Sequence, residues 1–220
     1  MQASPWLQRF CEDHAVILGS SSKWRRKVLS NAGCRTVAAL DPNIDEKAIR
    51  HTNPETLVLA ISNAKADALM ERLRKADDAE LHISNETFLI CTDQVALCDG
   101  QIREKPESEA QAREFIHSYS EEGKPVETCS GVVVVHVKSG NRQAGVFYNR
   151  IFFDKIPDNV ITEIVNGDVV YTCCGGFSVD CPVMGAWVKS IEGGQDGVMG
   201  MPLGLLEDLF KRHQSIRSHA

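Results

Sequence analysis

The chain has 220 residues, a formal net charge of -6, 43% hydrophobic residues and 25% charged residues. A chain of this length buries most of its apolar surface on folding, and this composition is typical of globular proteins, which excludes a disordered or fibrous protein. The acidic balance argues against a nucleic-acid polymer as partner, because such binding requires many phosphates to be neutralised. A small anionic ligand in a locally basic cleft is not excluded.

The predicted elements alternate between strands and helices. In chain order we expect a buried strand at 15–18, a helix at 24–32, a long helix at 54–75 capped by Thr52 or Asn53, a strand at 88–91, a hairpin turning at Asp99-Gly100 between arms at 95–97 and Ile102, a helix at 107–119, a hairpin-like strand pair at 131–137 and 144–153, a helix at 157–165 and a last helix from Pro202. The polar stretch 75–87 is expected to be a surface connection. This order predicts an α/β architecture with a mixed sheet.

The eight cysteines include no CxxC pair, so their spacing indicates neither a zinc site nor a redox motif. No run of about 18 apolar residues occurs, and residues 1–13 lack the apolar region of a secretory signal. We therefore expect residues 1–13 to be an N-terminal extension, the thiols to be reduced, and the protein to be cytoplasmic without a membrane partner.

A candidate phosphate-binding segment, SSSKWRR at residues 20–26, follows the first predicted strand and leads into a helix. A helix N-terminus offers backbone N–H groups, serines add hydroxyl donors, and Arg25 supplies a planar fork for phosphate. The segment matches neither a Walker A loop nor a dinucleotide-binding GxGxxG motif. A serine-capped helix with a basic, solvated first turn is the alternative interpretation.

Four further charged positions are candidates for chemistry. Asp93 follows the predicted strand at 88–91, where α/β folds usually place ligands, although an aspartate that caps a turn is the alternative. Glu46 precedes the long helix, which contains Lys65, and Lys105 follows the Asp-Gly hairpin. Carboxylates suit a hard cation and lysines suit the charge on a departing phosphate, but each taken singly is more often a surface charge.

Taken together, these segments resemble the Maf (septum-formation-protein-like) family of nucleotide pyrophosphatases. The segments that carry the resemblance are, in order, GSSSKWRRKVL, Asp45-Glu46, Lys65-Ala66, Asp93-Gln94-Val95, Lys105-Pro106, CSGVVVV, CCGGFS and IEGGQDGVMGMPL. The resemblance implies one Maf-like domain over residues 1–220, with two lobes, an elongated mixed β-sheet flanked by helices, and a nucleotide cleft between the lobes. It also implies hydrolysis of a nucleoside triphosphate to monophosphate and pyrophosphate, as house-cleaning of nucleotide pools, in a protein that is often a homodimer.

The resemblance also implies a role for each matched position. The positions matched to phosphate binding are Ser20, Ser22, Arg25 and Lys65. The positions matched to catalysis are Arg25, Glu46, Lys105 and Asp93, the last as proton acceptor. Glu46 and Asp93 would also bind Mg²⁺ or another divalent cation such as Mn²⁺ or Co²⁺. Two departures from the family pattern, Gly19 for alanine and Lys23 for proline, are expected to be tolerated.

The base is matched to three positions, Trp24, Gln94 and Asp180. In the family, an arginine-containing branch prefers dTTP and UTP, and a tryptophan-containing branch prefers 7-methyl-GTP. We therefore expect 7-methyl-GTP or a related base stacking near Trp24, with a dTTP/UTP preference as alternative and a packing role for Trp24 still open. A nucleotide-binding regulator of cell division without turnover is the alternative from another class. Cys173 and Cys174 lie near this expected pocket without an assigned role.

Overall fold

The computed structural model describes residues 3–75, 84, 86–121 and 124–217, without the side chains of residues 121, 216 and 217. The surface connection expected at 75–87 lies largely outside the described residues. The helices are α1 (Pro5–Asp13), α2 (Lys23–Asn31), α3 (Pro54–Lys75), α4 (Glu109–Glu121), α5 (Asp158–Val165), α6 (Pro182–Gly185), α7 (Gln195–Val198) and α8 (Leu203–Arg217). The strands are β1 (Ala15–Gly19), β2 (Thr36–Ala39), β3 (Thr87–Cys98), β4 (Gln101–Arg103), β5 (Val126–His136), β6 (Arg142–Phe153) and β7 (Val188–Glu192).

The strands form one mixed sheet in the order β2-β1-β3-β5-β6-β7, with β4 paired to β3 off this path. β1 pairs in parallel with β2 and β3, whereas β4 pairs antiparallel with β3 and β7 antiparallel with β6. Helices flank this sheet, which is not closed into a barrel. The predicted α/β class with a mixed sheet is therefore confirmed.

The chain divides into two compact units, the first comprising Met1–Asp93, Ser130–Phe147 and Met199–Ala220, and the second Gln94–Cys129 and Tyr148–Val198. In the first unit the strands bury both faces. Val132 and Val134 of β5 pack into one apolar cluster with residues of α1, α2 and α8, whereas Val133 packs into another with residues of α3. Because successive side chains point to opposite faces, burial on both sides explains the unbroken GVVVV run.

Helix α3 is fixed at its start and along its length. The Asn53 side chain accepts a hydrogen bond from the Thr56 N–H at 2.9 Å, so Asn53 is the cap of the two candidates. Further along, Ser62 donates a hydrogen bond to the Gly131 carbonyl at 3.0 Å. A Cβ atom on Gly131 would lie 2.8 Å from the Val58 carbonyl carbon, so only glycine lets α3 approach β5 this closely.

In the second unit, the predicted Asp99-Gly100 hairpin is confirmed. Cys98 pairs with Gln101, so Asp99 and Gly100 are the two turn residues between β3 and β4. Their φ angles are 51° and 73°, the left-handed values that a type I′ turn requires at both central positions. Asp-Gly is among the sequences that adopt these angles most readily, which is why the turn was visible in the sequence.

Several elements were not predicted. Helix α1 lies within the expected N-terminal extension and buries Leu7 and Phe10, and β2, β7, α6 and α7 were also missed. The expectation of reduced thiols is wrong for Cys11 and Cys34, which form a disulfide, while the other six cysteines are thiols. The two are 23 positions apart, and their pairing depends on how α1 packs, which spacing does not reveal. None of the helices within the described residues is long and apolar enough to cross a membrane.

Candidate active site

The candidate site begins where β1 ends. Gly19, the last residue of β1, pairs with Cys91 of β3, and Ser20 follows Gly19 directly. The prediction that Asp93 lies at a strand end is wrong, because β3 continues without interruption from Thr87 to Cys98. Its parallel register with β1 nevertheless stops at Cys91, two residues before Asp93. Asp93 therefore lies just beyond the carboxyl end of β1, not at the end of its own strand.

Gly19 makes this strand end compact. A Cβ atom on Gly19 would lie 2.4 Å from the Cys91 Sγ and 2.7 Å from the Leu69 Cδ1. The glycine at this position, where the family has alanine, therefore leaves room for the side chains of Cys91 and Leu69.

The serine-arginine segment forms a helix cap and a side-chain contact at once. Ser22 is the N-cap of α2, and its Oγ accepts a hydrogen bond from the Arg25 N–H at 3.4 Å. The Oγ of Ser20, a buried residue, accepts from the Ser22 N–H at 3.2 Å and from the Arg25 Nη1 at 3.1 Å. The serine-capped helix is therefore real, and the cap brings the Arg25 guanidinium to Ser20. A hydroxyl, a guanidinium and a helix N-terminus converge here, which is a suitable combination for phosphate.

A buried lysine draws two carboxylates together. The Lys65 side chain is 5% exposed, and its Nζ donates to the Asp93 Oδ1 at 2.9 Å. The same nitrogen lies 3.0 Å from the Glu46 Oε1 and 3.4 Å from the Thr92 carbonyl oxygen. Asp93 is itself buried, and its pairing with Lys65 offsets the cost of burying the two charged groups. Three charged positions far apart in the sequence thus form one cluster.

The cluster fits a divalent cation only in part. Two carboxylates, Glu46 and Asp93, each have an oxygen within 3.0 Å of the same nitrogen. Within the described residues there is no group of three or more His, Cys, Asp or Glu side chains suited to a metal ion. One or two carboxylates are what Mg²⁺ commonly takes from a protein when phosphates and water complete its shell. The donor set therefore suits a cation that binds together with a triphosphate.

Cys91 also lies beside this cluster. Burial raises the pKa of its thiol to about 12, against the opposing charges of Lys65, Arg142 and Arg25. A thiol with this pKa is not ionised near neutral pH and is a poor nucleophile. Cys91 is therefore a packing residue and not a nucleophile.

The structure confirms the packing role of Trp24. The side chain is partly buried against the core of the first unit, so it helps to pack α2. Its ring also lies 5.0 Å from the Lys23 Nζ and 5.6 Å from the Lys27 Nζ, measured to the ring centroid. The ring face is thus in a position to attract cations.

In the second unit, two of the motifs meet. The Glu104 carbonyl accepts a hydrogen bond from the Gly175 N–H at 3.0 Å, and a Cβ atom on Gly176 would lie 3.2 Å from the Pro106 Cγ. Pro106 is buried and Lys105 is exposed. The CCGGFS segment thus anchors the backbone on both sides of Lys105.

The two other positions matched to the base contact one short helix. Gln94 donates from Nε2 to the Gly197 carbonyl at 2.8 Å, and Gln195 donates from Nε2 to the Asp180 Oδ1 at 3.2 Å. Gln195 and Gly197 both belong to α7. Sequence reasoning missed Gln195, and it also missed the buried Asn149, whose only signal is a polar residue in the apolar run of β6.

A mixed α/β sheet with a charged cluster and a serine-arginine helix start beyond the carboxyl end of one strand is typical of α/β proteins that bind phosphorylated ligands. The chain matches the model of the family described as Maf-like protein over residues 15–213, and it belongs to this family.

Three relatives illustrate its range. A 7-methyl-GTP pyrophosphatase of Dictyostelium discoideum is 40% identical over 198 residues, which cover 90% of this chain and 96% of that protein. A nucleoside triphosphate pyrophosphatase of Salinispora tropica is 32% identical over 196 residues, covering 89% of this chain and 82% of that protein. A dTTP/UTP pyrophosphatase of Geotalea uraniireducens is 26% identical over 202 residues, covering 91% and 96%.

Proposed function

We propose that the chain hydrolyses a nucleoside triphosphate between the α and β phosphates, releasing a monophosphate and pyrophosphate, with 7-methyl-GTP or a related modified nucleotide as substrate. The observation that carries this proposal is the ion cluster in which the buried Lys65 contacts the buried Asp93 and the half-exposed Glu46, in a member of the Maf-like family. The three relatives compared above are all named as pyrophosphatases of nucleotides.

Asp93 is the proposed proton acceptor. Lys65 contacts its Oδ1, and we assign the second oxygen, Oδ2, to the attacking water. The water oxygen attacks the α-phosphorus, its proton passes to Asp93, and the bond from this phosphorus to the bridging oxygen breaks. Pyrophosphate leaves with the electron pair of that bond.

The other matched residues bind and orient the phosphates. Arg25 presents a planar fork, and Ser20 and Ser22 surround the start of α2, so together they hold the triphosphate in line for attack. Lys105 in the second unit is proposed as a further cation for the phosphates. Glu46 and Asp93 would hold Mg²⁺, or Mn²⁺ or Co²⁺ in its place, and the cation when bound neutralises phosphate charge.

The preference for 7-methyl-GTP rests on Trp24 and on the Dictyostelium relative. A methylated guanine is cationic, and the Trp24 ring already lies close to two ammonium groups. A cationic base stacked on the Trp24 ring would replace a lysine–ring contact with another cation–π contact. The dTTP/UTP preference of the Geotalea relative is the competing possibility.

The test is turnover of a nucleotide panel containing 7-methyl-GTP, GTP, dTTP, UTP, CTP, dITP and XTP with Mg²⁺, with pyrophosphate and orthophosphate detected separately. We expect pyrophosphate release, fastest from 7-methyl-GTP, and a fall in kcat of about 100- to 10,000-fold in Asp93→Asn. The matched control is Asp99→Asn, a change at the exposed hairpin turn, where asparagine tolerates the positive φ. It should leave kcat unchanged.

The other outcomes identify the alternatives. Fastest release from dTTP or UTP would assign the chain to the other specificity. Orthophosphate alone would indicate a phosphatase, and tight nucleotide binding without turnover would favour the non-catalytic regulator. A homodimer in the cytoplasm remains part of the proposal, and light scattering of the purified protein would measure the assembly.

A further inference from the structure

The polar core of the second unit contains one amide that the proposed chemistry does not use. Asn149 of β6 is 1% exposed. Its Nδ2 donates to the Gly194 carbonyl at 2.8 Å and to the Glu192 carbonyl at 3.4 Å. Its Oδ1 accepts from the hydroxyl of Thr128, which is also 1% exposed, at 3.5 Å. A buried amide whose donor and acceptor groups are both hydrogen-bonded holds in place the segments to which its partners belong.

Two of these partners, Glu192 and Gly194, lie just before α7 in the chain. The Gly194 carbonyl also accepts the Val198 N–H at 3.2 Å, so the acceptor that Asn149 holds is also the one that closes α7. At the other side of this turn, a Cβ atom on Gly197 would lie 2.2 Å from the Asn149 Oδ1. Gly197 therefore packs directly onto the Asn149 amide, and the amide sets the position of both ends of the turn.

Helix α7 also contacts Gln94 and Asp180, the two polar residues matched to the base. The Gly197 carbonyl accepts from Gln94, and Gln195 donates to Asp180. A shift of α7 would change the direction of the Gln94 amide and release the Asp180 carboxylate. Both are hydrogen-bonding groups of the kind that distinguish one base from another.

We infer that Asn149 is a positioning residue for base selection, acting through α7 on Gln94 and Asp180. This inference rests on the proposed function and deepens it. The hydrogen bonds of Asn149 go to Thr128, Glu192 and Gly194, none of which is a proposed catalytic residue. Its loss should therefore act on recognition of the base and spare the chemical step.

The test compares Asn149→Asp with the wild type on 7-methyl-GTP and dTTP. The substitution keeps the shape but places an oxygen against two carbonyl oxygens. We expect a rise in KM for 7-methyl-GTP of about tenfold with kcat within about twofold, so that the ratio of kcat/KM between the two nucleotides falls about tenfold. The control is Arg150→Gln, which removes the surface ion pairs of the neighbouring residue with Glu127 and Glu192. It should leave the ratio unchanged.

A second variant covers the case in which Asn149→Asp does not fold. Gln195→Met removes the exposed donor to Asp180 without touching the core, and it should lower the same ratio. An unchanged ratio in the folded variants, or an equal fall in kcat for both nucleotides, overturns the inference.

Binding of a nonhydrolysable 7-methyl-GTP analogue and of the matching dTTP analogue separates this inference from the proposed function. Wild-type protein that binds these analogues but does not hydrolyse 7-methyl-GTP or any other nucleotide of the panel contradicts the proposed function. In that case, loss of base discrimination in the Asn149→Asp complex still supports the inference, and unchanged discrimination overturns it.

Discussion

At the scale of single residues, Lys65 is the buried partner of Asp93 in the candidate site. In Lys65→Met, Asp93 loses its buried partner at 2.9 Å, so we expect kcat to fall at least about 100-fold and the melting temperature to drop. Steady-state kinetics and thermal unfolding measure the two effects. The matched control is Lys75→Met on the same helix, where an exposed lysine pairs with Glu71 and contributes little. A Lys65→Met enzyme with kcat within threefold of the wild type would rule out this role.

Gly19 offers a residue-scale test of packing at the strand end. A methyl group in Gly19→Ala would meet Cys91 and Leu69, and we expect destabilisation of about 1–3 kcal/mol from overpacking. Removing the Cys91 Sγ in the double variant Gly19→Ala, Cys91→Ala should recover part of this loss. Urea unfolding of the two single variants and the double variant measures the coupling. Strictly additive effects would show that the two positions do not share this space.

At the scale of elements, α8 packs onto β5 through a buried histidine. The His213 Nε2 lies 3.2 Å from the Val134 carbonyl oxygen. Burial lowers the pKa of His213 below its ordinary value of 6.5, the charge of nearby His136 acts in the same direction, and the Val134 carbonyl opposes both. The folded chain therefore binds a proton at His213 less readily than the unfolded chain does.

The sign of the resulting pH dependence follows from this difference. Above about pH 6.5 neither state is protonated at this position, and as the pH falls below 6.5 the unfolded state gains protons first. We expect the free energy of unfolding to decrease on acidification, and to decrease less in His213→Gln, which keeps a donor for Val134. Thermal unfolding between pH 8 and pH 5 measures both, with the exposed His51→Gln as control. Equal pH dependence in His213→Gln and the wild type would contradict this account.

At the scale of the whole molecule, much of the fold was predictable because it follows from local patterns. The apolar run of β5, the Asp99-Gly100 turn and the Asn53 cap with Pro54 each determine structure within a few residues. The features that were missed depend on contacts between distant segments. The Cys11–Cys34 disulfide requires α1 to pack on the first unit, and no local pattern predicts it.

The candidate site, like the fold, was predictable from the sequence only in part. The order of short motifs identified the charged residues, but their grouping around Lys65 depends on α3 lying against β3 and could not be derived from spacing. Asp93 was expected at a strand end because Thr92, Asp93 and Gln94 interrupt an apolar run. In the structure they belong to one continuous strand, β3. The first part of β3 pairs with β1, and its last part pairs with β4. The only sequence signal of Asn149 is its polarity within the apolar run of β6, because its role depends on backbone carbonyls more than 40 positions away.

The central claim is that water, activated by Asp93, attacks the α-phosphorus of the nucleotide. The most direct measurement is hydrolysis of 7-methyl-GTP by the wild-type protein in ¹⁸O-labelled water, followed by mass analysis of both products. We predict one ¹⁸O atom in the monophosphate and none in the pyrophosphate. Label in the pyrophosphate, or in orthophosphate released without pyrophosphate, would contradict the account.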